Sequence, residues 1–336
     1  MPNNEFVLGV DLGGTKVLSA VIDSAGAVLA RAKRKTQKLK TGEDVLRSLL
    51  ESAREALAKS GLPTDALAAV GVGSPGPLDP QTGVIEFTPN MPFRNFPLRD
   101  RIQEDLGRPT FINNDVSLGT YGEWKLGAGV GVRDMVGIFV GTGTGGGLIL
   151  NGELYEGFNR VAGEIGHIVV QLHGPRCGCG NRGCLEASAS RTAISRMIAQ
   201  AVGKGEKSLL ADYLKGDPPS VRSSRLARAY AQGDKLARKV LDHVAEVLGV
   251  GIGSVINLLS PEIVVVGGGV IEALGAQYVK KIEAIASEWA FPVNMRNVRV
   301  APAILGDDAI IQGAAAYARA QLPLPSTRLQ APGSGN

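Results

Sequence analysis

Two glycine-rich turns, each flanked by short apolar segments, constrain this chain more than any other feature. The first unit has apolar residues at 6–10, the turn DLGGTK and a second apolar segment ending at residue 22. The second unit repeats this pattern with apolar residues 136–140, the turn GTGTGGG and a short apolar segment ending at residue 150. A coarse internal duplication explains the repeat economically. Two such units facing each other predict an α/β protein that holds a polyphosphate between two lobes, and the length of 336 residues suits two domains.

Both turns contain the residue types that phosphate binding requires. Glycine leaves backbone N–H groups accessible to phosphate oxygens, while hydroxyl and lysine side chains add donors and positive charge. The predicted phosphate contacts are Gly13, Gly14, Thr15 and Lys16 in the first turn, and Thr142 and Thr144 in the second. Asp11 is predicted to help hold Mg²⁺ through water, because Mg²⁺ keeps much of its hydration shell. Plain hairpins are the alternative, and neither a Walker P-loop nor a dinucleotide fingerprint is present in the sequence.

All three cysteines of the chain lie in one short segment, which predicts a metal site rather than a disulfide framework. Cys177, Cys179 and Cys184 with one histidine form the closed Cys₃His set of a structural zinc, for which iron is a less ordinary alternative. The spacing leaves the fourth ligand open between His167 and His173. A closed set has no free coordination position, so the metal is predicted to shape the site rather than to take part in chemistry.

Carboxylates at three positions are the candidate chemical groups. Asp115 ends the sequence NND, between a predicted strand at 110–112 and a predicted helix at 116–126. An aspartate there suits a helix N-cap and equally suits a base at the sheet edge where ligands of open α/β sheets collect. Glu164 and Glu186 flank the cysteine segment, and together they would converge on a polyol.

With these motifs the chain resembles the ROK family, named for repressors, open reading frames and sugar kinases, and within it the bacterial glucokinases. The resemblance extends from residue 6 to about residue 320. It rests on the motifs DLGGTK at 11–16, ND at 114–115, GEIGH at 163–167 and CGCGNRGCLE at 177–186. It implies an α/β fold of the actin-like (ribonuclease H-like) two-lobed ATPase type, with ATP and a sugar held in the cleft between the lobes.

The resemblance implies ATP-dependent phosphorylation of a hexose, most closely that of glucose to glucose 6-phosphate, with Asp115 as the general base. The residues it implies for the sugar are Gly76, Asn90, Asn114, Asp115, Glu164, His167 and Glu186. The residues it implies for ATP are Asp11, Gly13, Gly14, Thr15, Lys16, Gly141, Thr142, Gly143, Thr144, Gly145, Gly268 and Gly269. By the same resemblance, His167 would be the fourth ligand of the zinc beside Cys177, Cys179 and Cys184. The implied cofactors are structural Zn and Mg-ATP.

The expected domain organisation has three parts. Residues 1–120 are expected to form a small N-terminal lobe, to which a helix at 307–322 returns. Residues 121–306 are expected to form a large lobe with the zinc loop. Residues 323–336 are rich in Pro, Ser and Gly, which predicts a disordered tail.

The sequence leaves the sugar and the phosphoryl donor open, and two other functions are considered and disfavoured. The same residue types would bind N-acetylmannosamine or another hexose, and polyphosphate would serve as the phosphoryl donor in place of ATP. A sugar-responsive ROK transcriptional regulator carries a helix-turn-helix before its sugar-binding lobes, and we disfavour it because the first predicted strand already begins at Phe6. A polymerising or chaperone-like protein of the same fold is disfavoured by the zinc loop and the polyol-binding set.

Composition argues against nucleic acid and membrane as partners. The net charge is only +4, and the densest basic run, at residues 31–40, contains no aromatic side chain, which favours a solvated strand and loop. Residues 1–5 are polar, no apolar signal region follows, and no stretch reads as long and apolar enough to span a bilayer. We therefore expect a cytoplasmic protein whose partners are a hexose, ATP and a second copy of itself in a homodimer.

Overall fold

The structure, a computed structural model, describes residues 5–88, 90–214 and 219–323, and these contain thirteen strands and ten α-helices. The strands are β1 (Phe6–Leu12), β2 (Lys16–Ile22), β3 (Val28–Lys35), β4 (Leu67–Ser74), β5 (Leu78–Asp79), β6 (Val84–Phe87), β7 (Arg94–Phe96), β8 (Thr110–Asn114), β9 (Met135–Val140), β10 (Thr144–Leu150), β11 (Glu153–Leu154), β12 (Ile263–Gly267) and β13 (Arg299–Pro302). The helices are α1 (Gly42–Ser60), α2 (Leu98–Leu106), α3 (Asp115–Leu126), α4 (Leu185–Ala189), α5 (Arg191–Gly203), α6 (Ser223–Ala231), α7 (Lys235–Leu259), α8 (Gly269–Leu274), α9 (Ala276–Trp289) and α10 (Ala309–Ala320).

The first sheet contains the first glycine turn and has the strand order β3-β2-β1-β4-β8. β1 pairs antiparallel with β2 across the turn, and β4 and β8 extend the sheet in the parallel direction. Helix α1 covers this sheet with a buried apolar stripe. It begins after Thr41, whose hydroxyl accepts a hydrogen bond from the backbone N–H of Asp44 (3.1 Å), and it ends at Gly61 in the left-handed conformation. Strands β5, β6 and β7 form a separate small antiparallel sheet.

The second sheet has the order β11-β10-β9-β12-β13. When the strands of each sheet are numbered along the chain, both sheets have the order 3-2-1-4-5. β9 and β10 form the second strand–turn–strand unit, and β12 pairs parallel to β9 as β4 does to β1. The matching topology supports the internal duplication. The predicted turn was too long, however, because Thr144 pairs with Val140 and the following glycines belong to β10.

Helix α7 corrects one expectation from the sequence. By length and composition alone it is long and apolar enough to cross a membrane. The expectation that no stretch meets this test was therefore wrong. However, most of this apolar stretch is buried in the structure, and side chains such as Leu241, Val244 and Leu248 lie in the hydrophobic core around the second sheet. The core helix of a soluble protein passes the same test, which explains α7 without a membrane.

The C-terminal helix α10 returns to the first sheet. Gly9 in β1 and Gly71 in β4 allow this approach, because a Cβ atom at either position would collide with the backbone carbonyl oxygen of Ile311 or Ala314. Helix α3 lies against α10, so the predicted boundary at residue 120 falls inside a continuous helix between the two sheets. The division into lobes at residues 120 and 306 stays a proposal, and the predicted tail lies, apart from residue 323, outside the described residues.

Candidate active site

Asp115 begins α3 at the end of β8, and the structure separates its two candidate roles. The cap is Asn114, whose side-chain oxygen accepts hydrogen bonds from the backbone N–H groups of Val116 (2.9 Å) and Ser117 (3.1 Å). Asp115 also accepts a bond from the N–H of Val116 (2.9 Å), through one of its two carboxylate oxygens. Since its neighbour already caps the helix, the other oxygen of Asp115 is available to a ligand at the mouth of the sheet.

The electrostatic environment disfavours charge on two neighbouring carboxyl groups. Burial raises the pKa of Asp115 from 3.8 to about 6; the hydrogen bond from Val116 opposes this rise and the negative charge of Glu164 adds to it. Burial also raises the pKa of Asp11, at the end of β1, to about 7, and the charge of Asp115 adds to that rise, whereas Lys16 opposes it. Asp11 is only 9% exposed. The carboxyl group of Asp115 therefore lies close enough to Asp11 for its charge to affect the pKa of Asp11, and raised pKa values of this kind are common at functional sites.

A narrow cavity adjoins Asp115, and we call it the front cavity. Its walls are Gly76, Pro77, Leu78, Asn113, Asn114, Ser117, Gly146, Arg160, Val161, Ala162 and Glu164. Three predicted sugar residues, Gly76, Asn114 and Glu164, thus meet in one place. The cavity volume is about 30 Å³, which is room for about two water molecules.

Of the other predicted sugar residues, Asp115 and His167 do not line the front cavity but adjoin residues that do, and Glu186 lies at the cysteine cluster, whereas Asn90 lies apart from them. Asn90 is exposed, and it does not line the front cavity. A Cβ atom on Gly14 would lie 3.1 Å from the carbonyl oxygen of Asn90, so Asn90 lies against the first glycine turn.

The two glycine turns converge on the start of α3, although several of their groups are already engaged. Asp11 lies near Asp115, and Gly145 packs so closely on Val116 that a Cβ atom would lie 2.9 Å from its side chain. The N–H of Gly13, expected to be free for phosphate, donates to the carbonyl oxygen of Lys16 (2.9 Å), which corrects that expectation. Gly14, Thr15 and Lys16 remain the candidates in this turn.

The second turn needs a similar correction. The hydroxyl of Thr144 donates to the carbonyl oxygen of Ala189 (3.1 Å) and its N–H donates to Glu186 (2.9 Å), so both of its donors are used inside the protein. Likewise the N–H of Gly141 donates to the carbonyl oxygen of Gly143 (2.8 Å). Thr142 is exposed at the tip of the turn and is the better candidate for a phosphate contact.

The third glycine segment lies beside the second turn. Gly268 follows β12 with φ of +85°, and a Cβ atom there would lie 2.7 Å from the backbone N and O of Val140, the residue before Gly141. Only glycine fits this close approach. Gly269 begins α8, and Ser223 of α6 is the nearest group to it. The candidate nucleotide residues of the second half are therefore adjacent in space.

Four side chains form a cluster suited to a metal ion. The ligand atoms of His167, Cys177, Cys179 and Cys184 all lie within 4.8 Å of one another. The Sγ atoms of Cys179 and Cys184 are 3.7 Å apart, and Cys177 Sγ lies 3.7 Å from Nδ1 of His167. A tetrahedral zinc with Zn–S bonds of about 2.3 Å requires edges of about 3.8 Å between sulfurs. His173, the other candidate, is not part of this group, and burial raises the pKa of the Cys184 thiol to about 12, so a thiolate there requires a bound cation.

The cysteine cluster positions two predicted sugar residues. His167 contributes its Nδ1 to the cluster, while its Nε2 lies 3.8 Å from the carboxylate of Glu164 on the front cavity. Glu186 follows Cys184 at the start of α4; one of its oxygens lies 3.8 Å from Cys177 Sγ and the other accepts from Thr144. The cluster thereby connects the sugar residues with the second glycine turn.

Two arginines at the site were not predicted from the sequence. Arg160 lines the front cavity and forms an ion pair with Asp79 of β5 (2.8 Å), which joins the two halves of the chain. Arg191, the first residue of α5, donates to the hydroxyl of Thr142 (2.6 Å) and through its backbone to the carbonyl oxygen of Gly141. Neither belongs to a motif, and their partners are distant in sequence, so no local signal identifies them.

Comparison with known proteins agrees with this geometry. The family model described as the ROK family matches residues 7–321. The glucokinase of Thermotoga maritima is 35% identical over 317 residues, which are 94% of this chain and 98% of that protein. A xylose repressor of Caldicellulosiruptor bescii is 28% identical over 91% of this chain and 76% of the repressor.

A solved structure gives the same result for the fold. The crystal structure of a ROK family glucokinase from Streptomyces griseus in complex with glucose and AMPPNP matches with a TM-score of 0.80 and 33% identity, covering 94% of this chain and 99% of that one. The predicted α/β fold of the two-lobed, actin-like type is confirmed. By the extent of the family match and the identity to its members, the chain belongs to the ROK family.

Proposed function

We propose that the protein is an ATP-dependent hexokinase that phosphorylates the 6-hydroxyl group of glucose. The observation that carries the proposal is the position of Asp115, whose carboxyl group lies where the two glycine turns and the front cavity meet. ATP and glucose are proposed because the similar proteins include glucokinases, one of them solved with glucose and AMPPNP. The site geometry supports the reaction type, and the relatives support the choice of sugar and donor.

The reaction requires a base, a positioned donor and compensation of negative charge. The oxygen of the 6-hydroxyl group forms a bond to the γ-phosphorus of ATP, the bond from that phosphorus to the β–γ bridging oxygen breaks, and the hydroxyl proton passes to Asp115. Phosphoryl transfer depends on positioning and electrostatic stabilisation more than on covalent help. In the proposed roles Gly14, Thr15 and Lys16 contact the phosphates from one side, and Thr142 contacts them from the other. Asp11 would hold Mg²⁺, which supplies positive charge to the phosphates when bound.

Sugar recognition is assigned to polar groups around the front cavity. Asn114 and Glu164 line it directly, His167 lies 3.8 Å from Glu164, and Glu186 is assigned to the sugar by the family resemblance. A site that pairs each sugar hydroxyl discriminates strongly, because an analogue without that hydroxyl leaves a buried polar group unpaired. We assign Asn90 to the rim, since it lies against Gly14 rather than in the cavity.

The metal of the cysteine cluster is proposed to be a structural zinc. Three thiols and one imidazole at these separations fit tetrahedral coordination with no position left for substrate. Its role would be to hold His167 and Glu186, which flank the cluster in sequence and contact it in space.

A direct assay distinguishes the sugars. Glucose, mannose, fructose, N-acetylmannosamine and N-acetylglucosamine are each offered with ATP and, separately, with polyphosphate in a coupled assay. We expect kcat/KM for glucose to exceed that for N-acetylmannosamine by at least tenfold, about 1.4 kcal/mol in transition-state stabilisation, because a wall fixed by the metal-bound His167 resists an added acetamido group. Equal kcat/KM for the two sugars would contradict the assignment of glucose as the substrate but not the kinase activity.

A sugar-responsive regulator is the second candidate, because a xylose repressor is among the similar proteins. Such a protein needs to bind sugar without turnover. The raised pKa of Asp115 favours the kinase, since a base that titrates near neutral pH is suited to proton transfer. Glucose binding without phosphorylation by any donor would favour the regulator.

We also propose that the protein acts in the cytoplasm, where ATP is available, and forms a homodimer. Exposed apolar side chains lie at the C-terminal end of α9 and just after it, where Trp289 is 58% and Phe291 62% exposed. The side chain of Asn257 on α7 bonds to backbone groups of both residues, which holds this segment against the end of α7. Sedimentation of the chain and of a Phe291→Glu variant tests whether this surface joins two copies, and a monomeric wild-type chain excludes the dimer.

A further inference from the structure

A second, larger cavity lies between the edge strands of the two sheets, and we call it the rear cavity. Its volume is about 590 Å³, within the usual range for sites of small organic ligands. Its walls come from β8 of the first sheet, β11 of the second, and the helices α3 and α10. The residues that carry the argument are Tyr121, Trp124, Lys125, Glu156, Tyr317 and Gln321. None of these belongs to the candidate active site described above.

One wall of the rear cavity is a rigid aromatic surface. The ring of Tyr121 packs edge-on against Trp124 (5.4 Å between centroids) and against Tyr317 (5.8 Å). The indole N–H of Trp124 donates to the carbonyl oxygen of Val132 (2.8 Å), which fixes the ring. Tyr121 is only 6% exposed and supports the half-buried rings of Trp124 and Tyr317, which present apolar area at little entropic cost to a ligand with an apolar face. A pyranose has such a face, because its C–H groups lie above and below the ring.

The same wall carries a cation that makes no ion pair with any carboxylate of the described residues. The ammonium group of Lys125 lies 3.6 Å from the ring centroid of Trp124 and 5.5 Å from that of Tyr121. Partial burial lowers its pKa, with no contribution from a nearby charge. The other cation at this cavity, Arg99, is paired with Asp100 (2.7 Å). An anionic ligand would therefore find its partner in Lys125.

The opposite side of the rear cavity offers acceptors for hydroxyl groups and reaches the front cavity. Glu156 accepts hydrogen bonds from Asn113 Nδ2 (2.6 Å) and from the hydroxyl of Tyr317 (3.4 Å) through one oxygen, which leaves its second oxygen for a ligand. Asn113 lines the front cavity and accepts from the backbone N–H of Asn114 (2.7 Å). Two hydrogen bonds thus separate a wall of the rear cavity from a predicted sugar residue.

From these features we propose that the rear cavity is a second binding site, and that its ligand is a small polyhydroxylated anion of the hexose monophosphate class. The phosphate group pairs with Lys125, the ring lies against the aromatic wall, and hydroxyl groups donate to Glu156 and bond to Gln321. Both sheets contribute walls, so occupancy of the rear cavity and sugar binding in the front cavity are linked through the relative position of the sheets.

Tryptophan fluorescence tests the site directly. The chain has two tryptophans, Trp124 in the rear cavity and Trp289 on α9, so a Trp289→Phe variant leaves Trp124 as the only emitter. We expect the emission of Trp124 to change as glucose 6-phosphate is added and to reach a plateau. The same change is expected when glucose is held at a saturating concentration. Inorganic phosphate alone is expected to bind at least about tenfold more weakly, because it lacks the ring. No change on addition of glucose 6-phosphate refutes the proposal.

Matched variants assign the signal to the cavity. In the same background Lys125→Met keeps the aliphatic stem on Trp124 and is expected to weaken binding by about tenfold or more, whereas Lys125→Arg keeps the charge and is expected to retain it. Lys280→Met, an exposed lysine on α9, is the control and should have no effect. Equal binding by wild type and Lys125→Met overturns the proposal.

The glucose dependence separates the two cavities. If the two sites are distinct, glucose shifts the dissociation constant of glucose 6-phosphate by a factor that levels off as the glucose concentration rises. A shift that grows without limit shows competition for the front cavity and refutes a rear site. The titration measures binding without turnover, so its failure leaves the proposed kinase activity unaffected.

Discussion

Replacing Asp115 by asparagine tests the proposed base with the smallest change of shape. Asparagine can still accept the hydrogen bond from Val116, but it cannot take a proton from the sugar. A positioned base contributes roughly 10²–10⁴-fold to rate, so kcat is expected to fall by at least about 100-fold. Glucose binding, measured by calorimetry, is expected to change by less than about threefold, since Asn114 and Glu164 keep their positions.

The same substitution that lowers kcat is expected to increase the stability of the fold. Folding raises the pKa of Asp115 from 3.8 to about 6 because the charged form is buried. An acid with a raised pKa in the folded state loses stability as the pH rises from the unfolded to the folded pKa, and the whole loss is present above pH 6. This loss is at most about 3 kcal/mol. Asp115→Asn should therefore increase the free energy of unfolding by about 1–3 kcal/mol at pH 7.5, and by less than about 1 kcal/mol at pH 4.

Urea unfolding at the two pH values and a coupled assay measure both effects on one preparation. Asp65→Asn, on an exposed turn, serves as the control and should change neither quantity. For the wild type, kcat/KM is expected to fall as the pH drops below 6–7, because Asp11 and Asp115, with pKa values of about 7 and about 6, then take up protons. A variant that keeps kcat within about tenfold of wild type would show that Asp115 only starts the helix. A variant less stable at pH 7.5 would refute the argument from burial.

Two further predictions concern the metal and the contact between the two halves of the chain. Elemental analysis of the wild-type protein should find one zinc per chain. Cys179→Ser should lose both the metal and the activity, because His167 and Glu186 lose their support. A fully active preparation without metal contradicts this. Arg160→Gln removes a partly exposed ion pair to Asp79 (2.8 Å), so it should raise KM for glucose by up to about fivefold and leave kcat within about twofold. Small-angle scattering should show a more open particle. An unchanged KM contradicts the assignment of this ion pair.

The fold was predictable because its signals are local and repeated. A glycine turn between two apolar segments determines a hairpin whatever surrounds it, so β1, β2 and β9 were found at nearly their observed limits. The cysteine segment was equally clear, because Cys177, Cys179 and Cys184 are the only cysteines and lie within eight residues. Their grouping with His167 rather than His173 required either the family resemblance or the structure.

What failed was the assignment of individual donors within these motifs. Sequence shows that Gly13 and Thr144 lie in glycine-rich segments, but it does not show that their N–H groups already donate to Lys16 and Glu186. The ion pair of Arg160 and the rear cavity are likewise products of tertiary packing between segments far apart in the chain. Such features leave no periodicity or spacing to detect.

The seam between the two halves gives the last prediction. α3 follows a strand of the first sheet yet packs on β9 and β10, and α10 follows a strand of the second sheet yet packs on β1 and β4. The two helices meet at glycines: a Cβ atom on Gly313 would collide with the carbonyl oxygen of Leu118 and lie 2.8 Å from the backbone N of Gly122. In Gly313→Ala, overpacking should lower the free energy of unfolding by about 1–3 kcal/mol. The higher helix propensity of alanine should offset about 1 kcal/mol of this loss. Because α3 begins at Asp115, a displacement of about 1 Å there should also lower kcat by up to about 100-fold. Gly203→Ala, where nothing lies within 4 Å, is the matched control and should be neutral or slightly stabilising. Thermal unfolding and kcat equal to wild type in Gly313→Ala would show that the helices can separate without moving the base, and that the close crossing does not position the site.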